Sequence, residues 1–232
     1  MITVVITSFN RFDLLYKTVE SFRRVNTYPV KEIIIIDDSG DKAMHKKIIK
    51  GFSDCHLILN EKNIGLVESI DKAYAEVTTP FIFHTEDDFN YVRPGFIEAC
   101  IKVMEHDPTV FRVGIRGKSH DRSLDPVIQM AGDTPYRLPM FYKMDDDVHG
   151  NQFWHGFGFQ CGLIRKSAYD LVKPYTQYNL PDAQGNPPFI TAKECQIGLA
   201  YYGLRLLAVS LVDDYALHTG GKRSTYGLRM EG

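Results

Sequence analysis

Three adjacent carboxylates at the end of a short apolar run are the residues in this sequence best suited to do chemistry. The run occupies residues 81–85, is typical of a buried strand, and is followed by Glu86, Asp87 and Asp88. Ionised carboxylates are not buried without a positive partner, because each would lose its hydration. Carboxylate oxygens suit Mg²⁺ or Mn²⁺, which keep coordination positions open for phosphate oxygens. The triplet therefore predicts a metal–diphosphate site built on Glu86 and Asp88.

The composition is that of an ordinary globular protein. The chain has 232 residues, of which 44% are hydrophobic and 24% are charged, and its formal net charge is −2. This balance supports a substantial core and argues against bulk nucleic-acid binding. We expect a single domain over 1–232, with a first half at 1–115, a second half at 116–218 and a flexible basic tail at 219–232.

Cysteine usage and the chain start predict a cytoplasmic location. Cys55, Cys100, Cys161 and Cys195 are widely dispersed, which is typical of reduced core residues rather than of a zinc site or a disulfide framework. The first residues carry no basic leader, so we expect no signal peptide. No apolar run is long enough to predict a transmembrane segment, and peripheral membrane contact stays open.

Strands and helices alternate through the first half of the chain. Strands are predicted at 2–7, 32–36, 56–59 and 81–84, and helices at 13–24, 42–50, 66–77 and 94–106, the last with Pro94 at its start. This alternation predicts parallel βαβ units with helices on both faces of the sheet. Polar clusters follow three of the strands, at 8–11, 37–38 and 86–88, and should converge at one edge of the sheet.

The second half is less regular. Residues 117–153 show little periodicity and predict either a long functional excursion or an irregular hairpin region. A strand ending at Ile164, a helix at 166–175, a Pro-rich loop at 176–190, a helix at 192–202 and a strand at 204–211 are predicted beyond it.

Four motifs in order resemble the family 2 glycosyltransferases, which have an A-type nucleotide-sugar-binding fold. They are the first strand leading into residues 7–11 (Thr-Ser-Phe-Asn-Arg), residues 35–39 (Ile-Ile-Asp-Asp-Ser), residues 60–65 leading into a helix, and the acid triplet. The resemblance covers roughly 1–115 and implies an α/β fold with a mostly parallel central sheet and helices on both faces. It also implies metal-dependent transfer of a sugar from a nucleoside diphosphate sugar to a hydroxyl of a glycan, lipid-linked or other acceptor.

The resemblance also implies roles for individual residues. The donor nucleotide would be bound by Thr7, Ser8, Asn10, Arg11, Asp37, Asp38, Asn63, Gly65 and Asp87. Glu86 and Asp88 stand where the family has Asp-x-Asp, with Asp88 as the metal ligand, and His218 would lie near the metal. Glu194 would be the catalytic base of an inverting reaction, although Cys195 follows where the family often has Asp.

The chemistry of glycosyl transfer adds two further sets of candidates. Trp154, His155 and Gly156 are candidates for the acceptor site, because aromatic rings stack on the apolar faces of pyranoses. Lys222 and Arg223 are candidates for neutralising the leaving diphosphate from the basic tail.

Two other interpretations stay open. One is a non-catalytic module that binds nucleotide sugars or glycans, which the absence of Asp beside Glu194 keeps in play. The other is a sugar-phosphate nucleotidyltransferase, although residues 7–11 lack the glycines of its phosphate loop. A second acid cluster, Asp145, Asp146 and Asp147, follows no predicted strand and is expected to be a solvated loop.

Overall fold

The first half of the chain forms the predicted βαβ units. The structure is a computed structural model that describes residues 1–117, 124–139, 142–143, 153–180 and 190–221. The elements in chain order are β1 (Ile2–Ser8), α1 (Phe12–Val25), β2 (Val30–Asp37), α2 (Lys42–Gly51), β3 (His56–Leu59), α3 (Leu66–Ala75), β4 (Phe81–Glu86), β5 (Phe89–Tyr91), α4 (Phe96–His106) and β6 (Val110–Gly114). The strands and helices predicted here are confirmed, with ends that differ by up to two residues.

The second half adds a hairpin, short strands and two helices. In chain order these are β7 (Leu124–Ala131), β8 (Thr134–Pro139), β9 (Tyr142–Lys143), β10 (Phe153–Trp154), β11 (Gly162–Arg165), α5 (Lys166–Val172), a 3-10 turn (Tyr175–Gln177), α6 (Ile190–Gly203), β12 (Leu207–Leu211) and β13 (Ala216–His218). Part of the region that lacked periodicity is therefore the β7–β8 hairpin.

The central sheet has the strand order β3-β2-β1-β4-β11-β6-β12-β8-β7. Strands β3, β2, β1 and β4 are parallel, as predicted. Strand β11 is antiparallel to both β4 and β6, and β12 is parallel to β6. Because β4 and β6 both oppose β11, they run in the same direction. The carboxyl ends of β1, β2, β4, β6 and β12 therefore share one edge of the sheet, where open α/β sheets bind ligands.

Helices cover both faces of this sheet, which confirms the predicted α/β fold class. Alternate strand residues point to opposite faces. Ile6 and Ile35 pack with α1, α2 and α4 on one side, whereas Val5, Ile34 and Ile36 pack with α3, α5 and α6 on the other. No helix in the described part of the chain is long and apolar enough to cross a membrane.

The prediction that Pro94 starts α4 was wrong by two residues. The helix begins at Phe96, and its N-cap is Gly95, which adopts a left-handed conformation with φ of 80°. Glycine adopts this conformation at no steric cost, because it has no Cβ. Pro94 therefore precedes the cap.

A carboxylate on α3 ties that helix to the chain after α5. The side chain of Asp71 accepts hydrogen bonds from the Tyr169 hydroxyl at 2.7 Å, the Tyr175 N–H at 2.8 Å and the Thr176 N–H at 2.9 Å. These donors lie about 100 residues further along the sequence. Asp71 thus satisfies two backbone N–H groups of the 3-10 turn, and it joins elements that sequence proximity does not connect.

Replacing Asp71 with alanine should destabilise the fold by about 2–4 kcal/mol, because three partly buried donors lose their acceptor together. Urea unfolding of the variant and of the wild type at pH 7 measures the difference. Asp170→Ala is the matched control and should cost much less, since the ion pairs of Asp170 with Lys166 and Lys173 one turn away are exposed. Equal losses in both variants would contradict the role given to Asp71.

Candidate active site

A cleft of about 340 Å³ opens at the carboxyl edge of the sheet, between the ends of β1, β2 and β4 and the start of α3. Seven predicted site residues line it, and four residues that were not predicted line it with them. The predicted ones are Thr7, Ser8, Arg11, Asp38, Asn63, Gly65 and Glu86, and the others are Phe9, Ile36, Leu66 and Ser69. The parallel strands thus bring together polar clusters that are far apart in the sequence.

The side chain that meets the acid triplet is Arg11. Its guanidinium contacts both carboxylate oxygens of Asp87 and donates to Oδ2 of Asp88 at 3.0 Å. The Ser8 hydroxyl and the Phe9 N–H also donate to Oδ2 of Asp87, at 3.0 and 3.4 Å. Asp87 is fully buried. Its carboxylate therefore fixes the loop after β1 to the end of β4 and lies beneath the cleft rather than in its wall.

The buried Asp88 has one carboxylate oxygen engaged and one without a partner. Strand β13 pairs with β5 and places Nε2 of His218 at 3.3 Å from Oδ2. Burial by itself would raise the pKa of Asp88, but the hydrogen bond from His218 and the charge of Arg11 outweigh it, and the pKa lies below its ordinary value. The other oxygen, Oδ1, is buried and has no hydrogen-bond partner among the residues that the structure describes.

The orphaned Oδ1 of Asp88 is the observation that fits a divalent cation. A buried carboxylate oxygen without a donor is costly unless something positive reaches it. No group of three or more His, Cys, Asp or Glu side chains within the described residues is arranged to hold a metal ion by itself. This agrees with the behaviour of Mg²⁺ and related ions at phosphate sites, where one or two carboxylates and the substrate phosphates share the coordination.

The two aspartates at the end of β2, Asp37 and Asp38, have different surroundings. Asp38 accepts from Nδ2 of Asn60 at 2.9 Å and from the N–H groups of Ile64 and Gly65 at 2.9 and 2.8 Å, so it holds the loop before α3 against the cleft. Asp37 is buried and does not line the cleft. It accepts from Ser39 and lies 3.4 Å from Nε2 of His45.

The other polar residues of the predicted donor site shape its loops. The N–H of Asn10 donates to Oδ2 of Asp37 at 3.4 Å, and Asn10 itself has a positive φ of 57°. The side chain of Asn63 accepts from the Gly65 N–H at 2.9 Å. Gly65 is the N-cap of α3 with φ of 105°, and a Cβ there would lie 2.4 Å from Oε2 of Glu68. The geometry therefore requires glycine at this helix start.

Helix α6 carries the predicted catalytic base to the same region. Glu194 shares a helix face with the buried residues Ile197 and Tyr201, so its partly buried side chain points toward the sheet. Its Oε1 accepts from the Phe159 N–H at 2.7 Å. Burial raises the pKa of Glu194 to about 7, against the hydrogen bond from Phe159 and the charge of Arg112.

Glu86 and Glu194 are close enough to affect each other. The pKa of Glu86 is raised to about 8 by burial and by the charges of Asp88, Asp87 and Glu194. Glu86 also lines the cleft, so the charge of the candidate base acts on a residue of the cleft wall. Perturbed carboxylates of this kind are typical of acid–base sites.

The predicted acceptor residues lie in different surroundings from one another. Trp154 and Gly156 line a second, smaller cavity, next to Gly158. A Cβ on Gly156 would lie 2.5 Å from Pro139, so only glycine fits the close approach. His155 instead packs against Tyr202 of α6, with ring centroids 5.0 Å apart.

Some predicted residues lie outside the described part of the chain. These are Lys222 and Arg223 of the basic tail and the acid cluster Asp145, Asp146 and Asp147.

Sequence patterns missed two arginines near the site. Arg116 follows β6 and interacts electrostatically with Glu86 and Asp88, and Arg112 of β6 interacts with Glu194. Strand β6 was not among the predicted strands, so the sequence pattern offered no signal for either arginine. A charged residue within a strand is uninformative until its neighbours in the sheet are known.

The exchange Asp87→Asn should cost about 3 kcal/mol or more of unfolding free energy, because it leaves Arg11 partly unpaired in a buried setting. Urea unfolding at pH 7 measures this loss. The control is Asp54→Asn, which breaks the exposed Arg23–Asp54 pair and should change stability far less. Similar losses in the two variants would show that the Arg11–Asp87 contact is not a main support of the loop.

The raised pKa of Glu194 predicts how stability depends on pH. Between about pH 4.5 and 7 the folded state keeps a proton that the unfolded state has lost, so stability falls as pH rises through this window. The side chain in Glu194→Gln has no titratable proton, and its oxygen can still accept the hydrogen bond from the Phe159 N–H. Its stability relative to the wild type should rise by up to about 3 kcal/mol from pH 5 to pH 8.

Thermal and urea unfolding at both pH values provide this comparison. Glu105→Gln, on the exposed side of α4, is the control and should give the same difference from wild type at each pH. A pH-independent difference for Glu194→Gln would be incompatible with a protonated Glu194 in the folded state near neutral pH.

Known structures share this architecture. The mannosyltransferase PcManGT from Pyrobaculum calidifontis, in complex with GDP-Man and Mn²⁺, aligns with 99% of this chain at a TM-score of 0.66 and 14% identity. TarS 1–349 from S. aureus aligns with 99% of this chain at a TM-score of 0.58 and 14% identity. The alignments cover 59% and 63% of those two chains. At this identity the likeness establishes an A-type glycosyltransferase fold.

Sequence comparison gives a relative and a family. The uncharacterized glycosyltransferase YwdF of Bacillus subtilis (strain 168) is 32% identical over 104 residues, which is 45% of this chain and 38% of that protein. This chain therefore spans less than two thirds of the length of these relatives. The family model described as "Glycosyl transferase family 2" matches residues 3–172, most of the chain, and the chain thus belongs to glycosyl transferase family 2.

Proposed function

We propose that this protein transfers a sugar from a nucleoside diphosphate sugar to a hydroxyl of a glycan, lipid-linked or other acceptor, with inversion at the anomeric carbon. One observation carries the proposal. Glu86 lines the cleft, and its charge interacts with that of Glu194. A wall residue of the proposed donor site is therefore close to a carboxylate with a pKa of about 7.

The donor nucleotide occupies the cleft between β1, β2 and α3. Asp38, Asn63 and Gly65 form the wall beside α3, where polar and backbone groups contact the base and ribose. Thr7, Ser8 and Arg11 form the opposite side, where the Arg11 guanidinium lies beside the acid triplet. Three further residues, Asp37, Asp87 and Asn10, do not line the cleft themselves. Their hydrogen bonds hold the loops that carry the lining residues.

A divalent cation, Mn²⁺ or Mg²⁺, fits beside Asp88. Oδ1 of Asp88 would hold it, with Glu86 and His218 as neighbours. When bound, such a cation neutralises the charge that develops on a leaving diphosphate. Arg11 is positioned to add positive charge on the same side, and Lys222 and Arg223 of the basic tail are proposed to do so from beyond the described residues. The fold neighbour PcManGT was solved with GDP-Man and Mn²⁺, which supports a donor and cation of this kind.

Glu194 is the proposed general base. The acceptor hydroxyl gives its proton to a carboxylate oxygen of Glu194 while the hydroxyl oxygen forms a bond to the anomeric carbon. The bond from that carbon to the diphosphate oxygen breaks on the opposite face, and the electron pair leaves with the diphosphate. A base works best when its pKa is near the working pH, which holds for a pKa of about 7.

The proposal is tested by binding and turnover together. Thermal unfolding is measured with UDP-, GDP-, dTDP- and CMP-sugars, each with and without Mn²⁺. One nucleotide class should raise the unfolding midpoint more with Mn²⁺ than without it, because a ligand that binds the native state stabilises it. Asp88→Asn should remove the Mn²⁺-dependent part of the rise. Glu194→Gln should keep it, while donor hydrolysis or transfer falls about 10²–10⁴-fold.

Glu105→Gln is the control for turnover and should match the wild type, because Glu105 is exposed on α4. Nucleotide binding without turnover against any acceptor would favour a non-catalytic binding module. Absence of stabilisation by every nucleotide sugar would exclude the donor site proposed here. Full Mn²⁺-dependent turnover in Asp88→Asn would refute the cation assignment.

A further inference from the structure

A second cavity is lined in part by Gly158, which lies close to Glu194. It has a volume of about 50 Å³, and its polar lining comes from Arg112, Arg116, Trp154, Gln160 and Ser210, with Gly158 between Trp154 and Glu194. It shares no lining residue with the donor cleft. The cavity exists because Gly114 and Ala208 leave space on this face of β6 and β12.

The cavity holds several N–H donors without acceptors. Nε of Arg112, Nε of Arg116 and Nε1 of Trp154 are buried and have no hydrogen-bond partner among the described residues. Arg112 is only 5% exposed, so bulk water does not satisfy it. Unsatisfied buried donors are costly, and three of them lining one cavity indicate that an occupant supplies the acceptors.

The remaining polar groups leave few acceptors inside the cavity. Arg112 donates through Nη2 to the backbone oxygen of Gln160 at 2.8 Å, and Arg116 donates through Nη1 to its side-chain oxygen at 3.4 Å. Guanidinium groups are always charged and only donate. An occupant with two charge-bearing acceptor oxygens complements this arrangement, since carboxylates and guanidinium groups match in geometry.

The cavity is adjacent to the reacting centre. A Cβ on Gly158 would lie 3.3 Å from Oε1 of Glu194 and 3.3 Å from the Trp154 ring. Arg116 interacts electrostatically with Glu86 and Asp88 as well. An acceptor substituent held here would therefore place the rest of the acceptor beside Glu194.

The volume limits what enters. About 50 Å³ holds roughly three or four water-sized groups, which suits a single carboxylate but not a whole pyranose ring. We propose that this cavity binds the carboxylate of an acidic sugar on the acceptor, through Arg112, Arg116 and Trp154. The inference rests on the proposed glycosyl transfer and names the substrate class of its acceptor side.

Matched pairs of simple glycosides test this inference without a donor. Isothermal titration or saturation-transfer NMR compares methyl β-D-glucuronide with methyl β-D-glucoside, and methyl β-D-galacturonide with methyl β-D-galactoside. Each pair differs only in the carboxylate. The wild type should bind an acidic member about tenfold or more tightly than its neutral twin, as expected for charge-assisted hydrogen bonds. Arg116→Gln should reduce that ratio to about twofold or less.

Further variants separate recognition from folding. Trp154→Phe keeps the ring packing but removes Nε1, and should lower the ratio in part. Arg116→Lys keeps the charge but loses the planar fork, and it carries the test if Arg116→Gln does not fold. Arg24→Gln, an exposed arginine on α1, is the matched control and should leave the ratio unchanged.

The outcomes distinguish this inference from the proposed function. Equal binding within every pair, while a nucleotide still stabilises the protein, overturns the acidic-acceptor inference alone. Loss of nucleotide stabilisation in Arg116→Gln also overturns it, because Arg116 would then belong to the donor site. An acidic preference without any nucleotide binding would support the cavity and contradict the glycosyl transfer.

Discussion

The contact between one guanidinium and two buried aspartates is the interaction on which the site depends. Three carboxylates in a row at the end of β4 would repel one another and lose hydration. Arg11 meets Asp87 and Asp88 from the start of α1, and it fixes the loop after β1 against the turn after β4. Thr18 of α1 accepts from the Phe89 N–H and donates to the Asp87 carbonyl, so the same helix also holds the backbone of that turn.

This constraint divides the acid triplet into three different environments. The carboxylate of Asp87 is buried and hydrogen-bonded to other residues of the protein. One carboxylate oxygen of Asp88 has no hydrogen-bond partner among the described residues, and Glu86 lines the cleft. Strand β13 then adds His218 to the same edge by pairing with β5, and two hydrogen bonds from Thr219 to the Asp88 carbonyl hold it there. The chain after β12 therefore completes a site that residues near position 88 begin.

The mixed sheet explains how two halves of different character meet at one centre. Strand β11 runs antiparallel between β4 and β6, which places the segment before it across the carboxyl edge. The N–H of Phe159 in that segment donates to Glu194, which is carried by α6, and Gly158 lies close to the same carboxylate. Two cavities lie near this meeting point. One is the cleft proposed to bind the nucleotide sugar, and the other is the cavity lined by Arg112 and Arg116. Burial raises the pKa values of both Glu86 and Glu194, and the charge of Glu194 contributes to the raised pKa of Glu86.

The sequence by itself determined the βαβ order, the position of most strands and helices, and the convergence of the clusters at 8–11, 37–38 and 86–88. These follow from hydrophobic periodicity and from the shared direction of parallel strands, which are local or topological properties. It also identified the family, through motifs in their order. It did not determine which acid faces inward, since Asp87 and Asp88 are adjacent and chemically identical.

Only the tertiary structure decided the partners. Arg11 lies 76 residues from Asp87, and Asp71 lies about 100 residues from the tyrosines it binds. No local pattern encodes such pairs, because the strand order brings them together. For the same reason, local sequence patterns did not identify Arg112 and Arg116. Their importance comes from a cavity whose walls belong to β6, β8, β12 and the segment from Trp154 to Cys161, and that cavity exists only when the sheet is assembled.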